Sequence, residues 1–424
     1  MNWIDHAIWW HIYPLGFCGA PIHDADRTPA HRIQRLGGWL DYAIELGASG
    51  ILLGPVFDSL THGYDTLDYF RIDPRLGDEE DFDWLIAECK RRGLRVLLDG
   101  VFSHVSDRHP LLQQALVEGP TSEAAEMFDI DWNAPGGPAP RVFEGHGQLA
   151  RLNHHSPKVE DFVVDVMTHW LERGIDGWRL DAAYSIDAGF LSRVNQRVKK
   201  RHPEAWILGE VIHGDYPQFV AESGVDSVTQ YQLWKAIWSS IKDQNFFELD
   251  WALQRHAEFL QAFTPNTFIG NHDVTRIASQ VGQDGAIVAA TVLMTIGGIP
   301  SIYAGDEQGF TGVKEENIHG DDAIRPTFPE SPEELLPLGE RTLRAYQALI
   351  AIRRQHPWLV DGVTSAVKLE NQDYHYRVGE PGGGDHLDVQ LTLRDGDAAG
   401  EPKVTIAVAD ADGGQLWRYD SDDA

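Results

Sequence analysis

Gly177-Trp-Arg-Leu-Asp181 decides the fold: four residues of strand composition end in a carboxylate. The same form recurs at Val96-Leu-Leu-Asp99, Ile207-Leu-Gly-Glu210 and Phe268-Ile-Gly-Asn-His-Asp273. Asp181 and Glu210 lie 29 positions apart, one strand-helix unit, and Glu210 and Asp273 lie 63 apart, two units. Asp99 and Asp181 lie 82 apart, one unit plus an insertion. Outward from these, short apolar runs at Ile8–Tyr13, Gly50–Leu53, Leu94–Leu98, Gly177–Leu180, Trp206–Leu208, Asp226–Thr229, Thr267–Ile269 and Pro300–Tyr303 read as eight strands. Helical periods fall between them, at His31–Leu46, Glu79–Arg92, Ser156–Arg173, Gly189–Arg201, Gln232–Phe263 in pieces, Asp284–Ile296 and Glu340–Gln355. The pattern predicts an α/β fold, a (β/α)8 TIM barrel, with all four acids opening on the face where barrel sites are built.

Two stretches break the rhythm. Val105–Leu149, centred on Asn133-Ala-Pro-Gly-Gly-Pro-Ala-Pro, has no sustained helical period and reads as an inserted domain after strand 3. After His356-Pro357 the pattern turns to alternation, as in Leu387-Asp-Val-Gln-Leu-Thr-Leu. The expected domains are a barrel over 1–104 and 150–360, an insertion over 105–149, and a C-terminal β-sandwich over 361–424.

Composition limits the function. The 424 residues are 42% hydrophobic, enough for a large core, which excludes a mainly disordered chain. Sixty-five acidic against 35 basic residues give a net charge of −30, a field that repels nucleic acid and anionic lipid and leaves neutral ligands open. Cys18 and Cys89 are too few for a disulfide framework and read as free thiols. With no basic, apolar leader at Met1-Asn-Trp-Ile-Asp-His and no run of eighteen apolar residues, a soluble cytoplasmic protein is expected.

A single strand-terminal Asp can serve merely as a helix cap. Four acids beside Arg179, His104 and His272 are a different matter. Clustered carboxylates raise one another's pKa and an adjacent Arg lowers its neighbour's, so one acid can stay protonated while another is ionised, as glycoside hydrolysis needs.

At these residues the chain resembles the α-amylase family of retaining glycoside hydrolases. Asp99-Gly-Val-Phe-Ser-His104, Gly177-Trp-Arg-Leu-Asp-Ala182, Gly209-Glu-Val and Phe268-Ile-Gly-Asn-His-Asp273 are similar to its four signature regions in order. Gly298-Ile-Pro-Ser-Ile-Tyr-Ala-Gly-Asp-Glu307 is similar to its eighth-strand segment, and Leu152-Asn153 to the motif that closes its inserted domain. His62-Gly-Tyr-Asp-Thr-Leu-Asp-Tyr-Phe-Arg-Ile-Asp-Pro74 and Gly209-Glu-Val-Ile-His213 are most similar to the neopullulanase and cyclomaltodextrinase group. The resemblance implies Asp181 as nucleophile, Glu210 as general acid/base and Asp273 as the acid that grips sugar hydroxyls. It implies that Arg179 keeps the nucleophile ionised, that His104 and His272 bind hydroxyls with Asp99 beside them, and that Tyr64 stacks beneath the sugar. Asp321 and Arg325 match an acid-x-x-x-Arg pair near the next sugar outward.

Departures from the family refine the expectation. Ser103 stands where many relatives have an Asn that binds Ca²⁺, and a hydroxyl is the poorer ligand, so no cofactor is required and no metal is expected there. Tyr184 stands where typical amylases have a cation contacting the leaving sugars, which favours stacking on short or cyclic substrates. With a first strand at residue 8, the β-sandwich that precedes the barrel in neopullulanase-like enzymes is expected to be missing, and monomer and homodimer both stay open. His154-His155 and the His104 to His109 spacing match no helical zinc motif, and Trp132 in the insertion is a candidate sugar platform. The resulting expectation is a retaining hydrolase of short or cyclic α-1,4/α-1,6 maltooligosaccharides. Its rivals are a transglycosidase using the same covalent intermediate and a non-catalytic sugar-binding barrel.

Overall fold

The computed structural model describes residues 2–23, 26–317, 319–394 and 401–423. Eight strands form one sheet: β1 (Trp9–Ile12), β2 (Gly50–Leu53), β3 (Arg95–Gly100), β4 (Gly177–Leu180), β5 (Trp206–Gly209), β6 (Ser227–Val228), β7 (Asn266–Phe268) and β8 (Ile299–Tyr303). Their order is β6-β5-β4-β3-β2-β1-β8-β7. A parallel bridge from Thr229, next after β6, to Asn266 of β7 joins the two ends of that order. This is the TIM barrel expected, with each strand displaced by at most two residues at either end.

The chain divides into two compact units. One comprises Ile12–Leu40 and Leu52–Val228. Here β4 lies between β3 and β5 in parallel, with Gly177 opposite Leu97 and Trp206. Glycine is required at the head of β4 because a Cβ there would stand 2.0 Å from the Trp206 carbonyl oxygen. Capping sets the helices: Asp78 and Asp81 form a capping box at the start of α1 (Glu79–Arg92), and Ser156 caps α2 (Pro157–Arg173), which has Pro at its first position. A third helix, α3 (Ala188–Arg201), follows β4.

Two expectations for this unit change. The segment read as one helix over His31–Leu46 begins as a 3₁₀ helix, Arg32–Trp39, and turns α-helical only at Leu40. The insertion holds a helix, Pro110–Glu118, whose only buried residues are Leu112 and Ala115, too few to display a period in sequence. Beyond it come a 3₁₀ turn, Ala124–Met127, and short strands: His104–Ser106 pairs antiparallel with His146–Arg151, which pairs with Val142–Phe143.

The other unit comprises Met1–His11, Asp41–Ile51 and Thr229–Ala424. Trp9, Trp10 and His11 pair with Ser301, Ile302 and Tyr303, and β7 pairs with the same strand β8. Four helices follow: α4 (Tyr231–Lys242), α5 (Phe247–Leu260), α6 (Ile277–Thr295) and α7 (Glu340–Gln355). The helix expected at Asp284 starts at Ile277 and is broken at Gly282, where φ is 77°.

The C-terminal strands correct the expected sandwich. Val363–Leu369, Asp373–Gly379, His386–Arg394, Lys403–Ala409 and Gln415–Asp420 form, among the described residues, a single antiparallel sheet in sequence order, and 395–400 lie outside the described residues. Alternation promises one buried face without saying what covers it. Helices cover it here: the Tyr374 hydroxyl donates to Asp250 of α5 (2.9 Å), and that of Tyr376 bonds Thr295 of α6 (2.7 Å).

Candidate active site

In the first-described unit the parallel ladder runs one rung past the strands. The Asp181 N–H donates to the Gly100 carbonyl (3.0 Å) and the Glu210 N–H to the Leu180 carbonyl (2.9 Å), so both acids stand at strand ends. Arg179 is the register partner of Asp99, and both are buried, at 3% and 0% exposure. Its guanidinium bonds Asp99 and reaches Asp181 Oδ1 (3.4 Å) through Nη1, and meets Glu210 Oε1 (2.6 Å) through Nη2. Burial alone would lower the Arg179 pKa, but Asp99 and Glu210, with Tyr64 and Asp181, hold it well above the ordinary value. The cation the sequence assigned to the nucleophile is thus shared by three carboxylates.

Ala182 completes this cluster and was not foreseen. It has φ 44°, in the left-handed region that a non-glycine residue rarely enters, and its N–H donates to Glu210 Oε2 (3.1 Å). The turn after Asp181 therefore orients Glu210 at the end of the next strand.

Tyr64 lies in the loop between the short paired strands Phe57–Ser59 and Thr66–Ile72, and its hydroxyl donates to Asp99 Oδ2 (3.1 Å). His104 has both ring nitrogens engaged. Nε2 faces the Tyr64 carbonyl (3.0 Å), which can only accept, so Nδ1 accepts from the Ser103 hydroxyl (2.6 Å). Burial pushes the His104 pKa down to about 3, so the ring is neutral, and a sugar hydroxyl reaches it only by displacing one of these partners. Tyr184 sits half-buried after Asp181 with its ring 5.3 Å from that of His213, and burial, then the Glu144 carboxylate, pushes its phenol above the usual range.

The other unit assembles a second cluster around Asp273. Arg325 donates through Nη2 to Asp273 Oδ1 and Asp321 Oδ2 (both 2.8 Å) and through Nε to the His272 carbonyl (2.8 Å). His272 Nε2 lies 3.0 Å from Asp273 Oδ2, and the Asp273 N–H donates to Asn271 Oδ1 (2.9 Å). Arg325 thus ties together all three residues the sequence had named in this region. Arg276, not foreseen, is 1% exposed and bonds Asp306 (2.8 Å), Ala304 O (3.1 Å) and Ile324 O (3.0 Å), which sets the segment that carries Arg325.

At the family's calcium position Ser103 supplies a hydroxyl in place of an amide carbonyl, the poorer ligand for a cation. The Ser103 hydroxyl is engaged by His104, while Asn153 Oδ1 accepts from the His155 N–H (3.2 Å) and its Nδ2 donates to the Glu126 carbonyl (3.3 Å). Among the described residues, no trio of His, Cys, Asp or Glu ligands gathers there. His154 and His109 bind backbone, at the Phe102 carbonyl (2.9 Å) and the Leu111 N–H (3.3 Å). Trp132, the candidate sugar platform, lines a polar pocket with Asp129, Asn153 and Asp187.

Residues 33–334 match the catalytic domain of the alpha-amylase family. The chain belongs to the α-amylase family. It is 30% identical over 401 residues to a cyclomaltodextrinase of Geobacillus thermopakistaniensis, covering 88% of this chain and 66% of that relative. It is 29% identical to neopullulanase 2 of Thermoactinomyces vulgaris, covering 98% and 73%. The chain thus spans about two thirds to three quarters of the length of these relatives. Among solved structures, the ligand-free cyclic α-maltosyl-(1→6)-maltose hydrolase of Arthrobacter globiformis superposes with a TM-score of 0.82 at 26% identity, covering 97% of this chain and all of that one.

Proposed function

We propose that this α-amylase family member is a retaining α-glucoside hydrolase acting on short or cyclic α-1,4/α-1,6-linked maltooligosaccharides. The observation that carries the reading is the single buried guanidinium of Arg179 bonded to Asp99, Asp181 and Glu210. Two carboxylates on one guanidinium favour the spacing of a retaining pair, about 5 to 5.5 Å, over the roughly 6.5 to 9.5 Å of an inverting one.

A carboxylate oxygen of Asp181 attacks the anomeric carbon as the glycosidic C–O bond breaks, and Glu210 gives its proton to the departing oxygen. Glu210 then takes a proton from water, whose oxygen attacks the same carbon and releases Asp181. Two inversions return the α-configuration. Asp273, held by Arg325 and backed by His272, grips ring hydroxyls as the sugar flattens, and Tyr64 stacks beneath it. Tyr184 meets the leaving sugars. No step requires a metal or cofactor. Cys18 and Cys89 are buried and not joined in a disulfide, which suits a reducing cytoplasm.

Proton NMR of the first product from maltotetraose or a small cyclic glucan tests the chemistry. The α-anomer is expected first, and the β-anomer first would overturn the mechanism.

A further inference from the structure

The insertion ends its hairpin in a loop of two residues, Glu144-Gly145, between the paired Phe143 and His146. Both loop residues have positive φ, 47° and 82°, as a type I′ turn requires. Asn-Gly, Asp-Gly or Gly-Gly is the sequence such a turn favours, and a glutamate there is strained. Its carboxylate, however, reaches across to Tyr184, whose hydroxyl donates to Oε1 at 2.9 Å. Next to it, the Phe143 ring stacks on His104 with centroids 4.5 Å apart and planes 30° from parallel. The return strand is pinned as well, with Arg151 opposite His104 and Ala150 opposite Val105. The tip is therefore held at two points, one beside the Arg179 cluster and one on the residue facing the leaving sugars.

We propose that the Glu144–Tyr184 hydrogen bond is a latch by which the insertion's hairpin limits the length of glucan accepted on the leaving-group side. The inference rests on the glycosidase reading above. Glu144 is exposed, so water competes for the bond and the latch can open for a short or cyclic substrate, whereas a long chain must hold it open throughout. Glu144 acts through Tyr184 and the hairpin and is a specificity-determining residue without a part in bond cleavage.

Glu144→Asn is the decisive variant, because Asn-Gly suits the turn better than Glu-Gly while its shorter side chain loses reach to Tyr184. The reading is the ratio of kcat/KM for long-chain amylose to that for maltotetraose, in which any common loss of activity cancels. Glu144→Asn should raise the ratio about five-fold, the scale of one hydrogen bond. Tyr184→Phe should raise it similarly, and the double variant no further than either alone. A ratio in Glu144→Asn within two-fold of wild type overturns the latch, as do additive effects. Amide hydrogen exchange over 141–147 reads the same bond without turnover: it should quicken in Tyr184→Phe, and unchanged exchange overturns the proposal. If the wild type fails to hydrolyse 4-nitrophenyl α-maltoside, the glycosidase reading falls, and the exchange experiment alone decides whether the latch exists.

Discussion

Arg179 does what a lysine in its place could not. A planar fork can bond Asp99 and Asp181 through one nitrogen and Glu210 through the other, whereas an ammonium is a point charge on a flexible stem. Arg179→Lys should therefore keep the charge and lose the arrangement. The expected loss in kcat/KM toward 4-nitrophenyl α-maltoside is about 100-fold, roughly 2.7 kcal/mol of transition-state stabilisation. A loss under five-fold would show that the cation matters only as charge. Ala182 belongs to the same argument: its left-handed backbone brings an N–H onto Glu210, and nothing in the letters Asp-Ala-Ala announces that conformation. Arg179 was legible because it sits two residues before a strand-terminal acid. Ala182 and Glu144 were not, because their parts depend on φ and on hairpin register rather than on residue type.

The turn after β8 carries a titration that bears on stability. Glu307 is fully buried, accepting from the Tyr42 hydroxyl (3.0 Å) and the Gly305 N–H (2.9 Å), and burial pushes its pKa from the ordinary 4.5 up to about 7. Beside it, burial raises Asp306 to about 6 against the pull of Arg276. The folded chain thus keeps a proton on Glu307 that the unfolded chain releases. That stabilisation is complete below pH about 4.5 and disappears as pH rises through about 7, with roughly 2 kcal/mol lost between pH 5 and 8. Buried neutral His104, His109 and His256, pushed down to about 3, 4 and 4, act in the opposite direction over the acid part of that range. The difference in unfolding free energy between wild type and Glu307→Gln cancels the histidines. It should shift by about 2 kcal/mol between pH 5 and pH 8 in urea titrations, and a pH-independent difference would mean that Glu307 is ionised throughout. Elements were legible in proportion to their burial. Apolar strands such as Gly50–Leu53 and Gly177–Leu180 fall where the sequence put them, while Pro110–Glu118, with two buried residues, left no period to read.

For the molecule as a whole, α6 poses the question of what the C-terminal sheet is for. A window of 18 residues within it has a mean hydropathy of 1.2, enough by composition to cross a membrane, yet 72% of that window is buried inside the protein. Strand alternation in the C-terminal sheet turns Tyr374, Tyr376, Val378, Leu387, Val389, Leu391, Leu393, Val404, Ile406 and Val408 inward, each at most 1% exposed. Tyr376 meets Thr295 at the end of α6, and Tyr374 meets Asp250 of α5 and lies against the Phe246 ring (5.8 Å). The sheet therefore covers helices that would otherwise offer a large apolar face to water. Its presence was legible from alternation, and its role as a helix cover was not, because periodicity names a buried face without naming its partner. A chain ended after Asp361 should accordingly be insoluble, or bind a hydrophobic dye and melt without cooperativity, rather than give a smaller enzyme. A soluble truncated chain with the wild-type Tm would make the sheet an accessory. Tyr374→Phe makes the milder test: Asp250 keeps its bond from Gln254 Nε2 (2.7 Å) but loses the phenol, and about 1 to 2 kcal/mol of stability should go with it. Unchanged stability in that variant, read by urea unfolding, would place the docking energy of the sheet wholly in its apolar side chains.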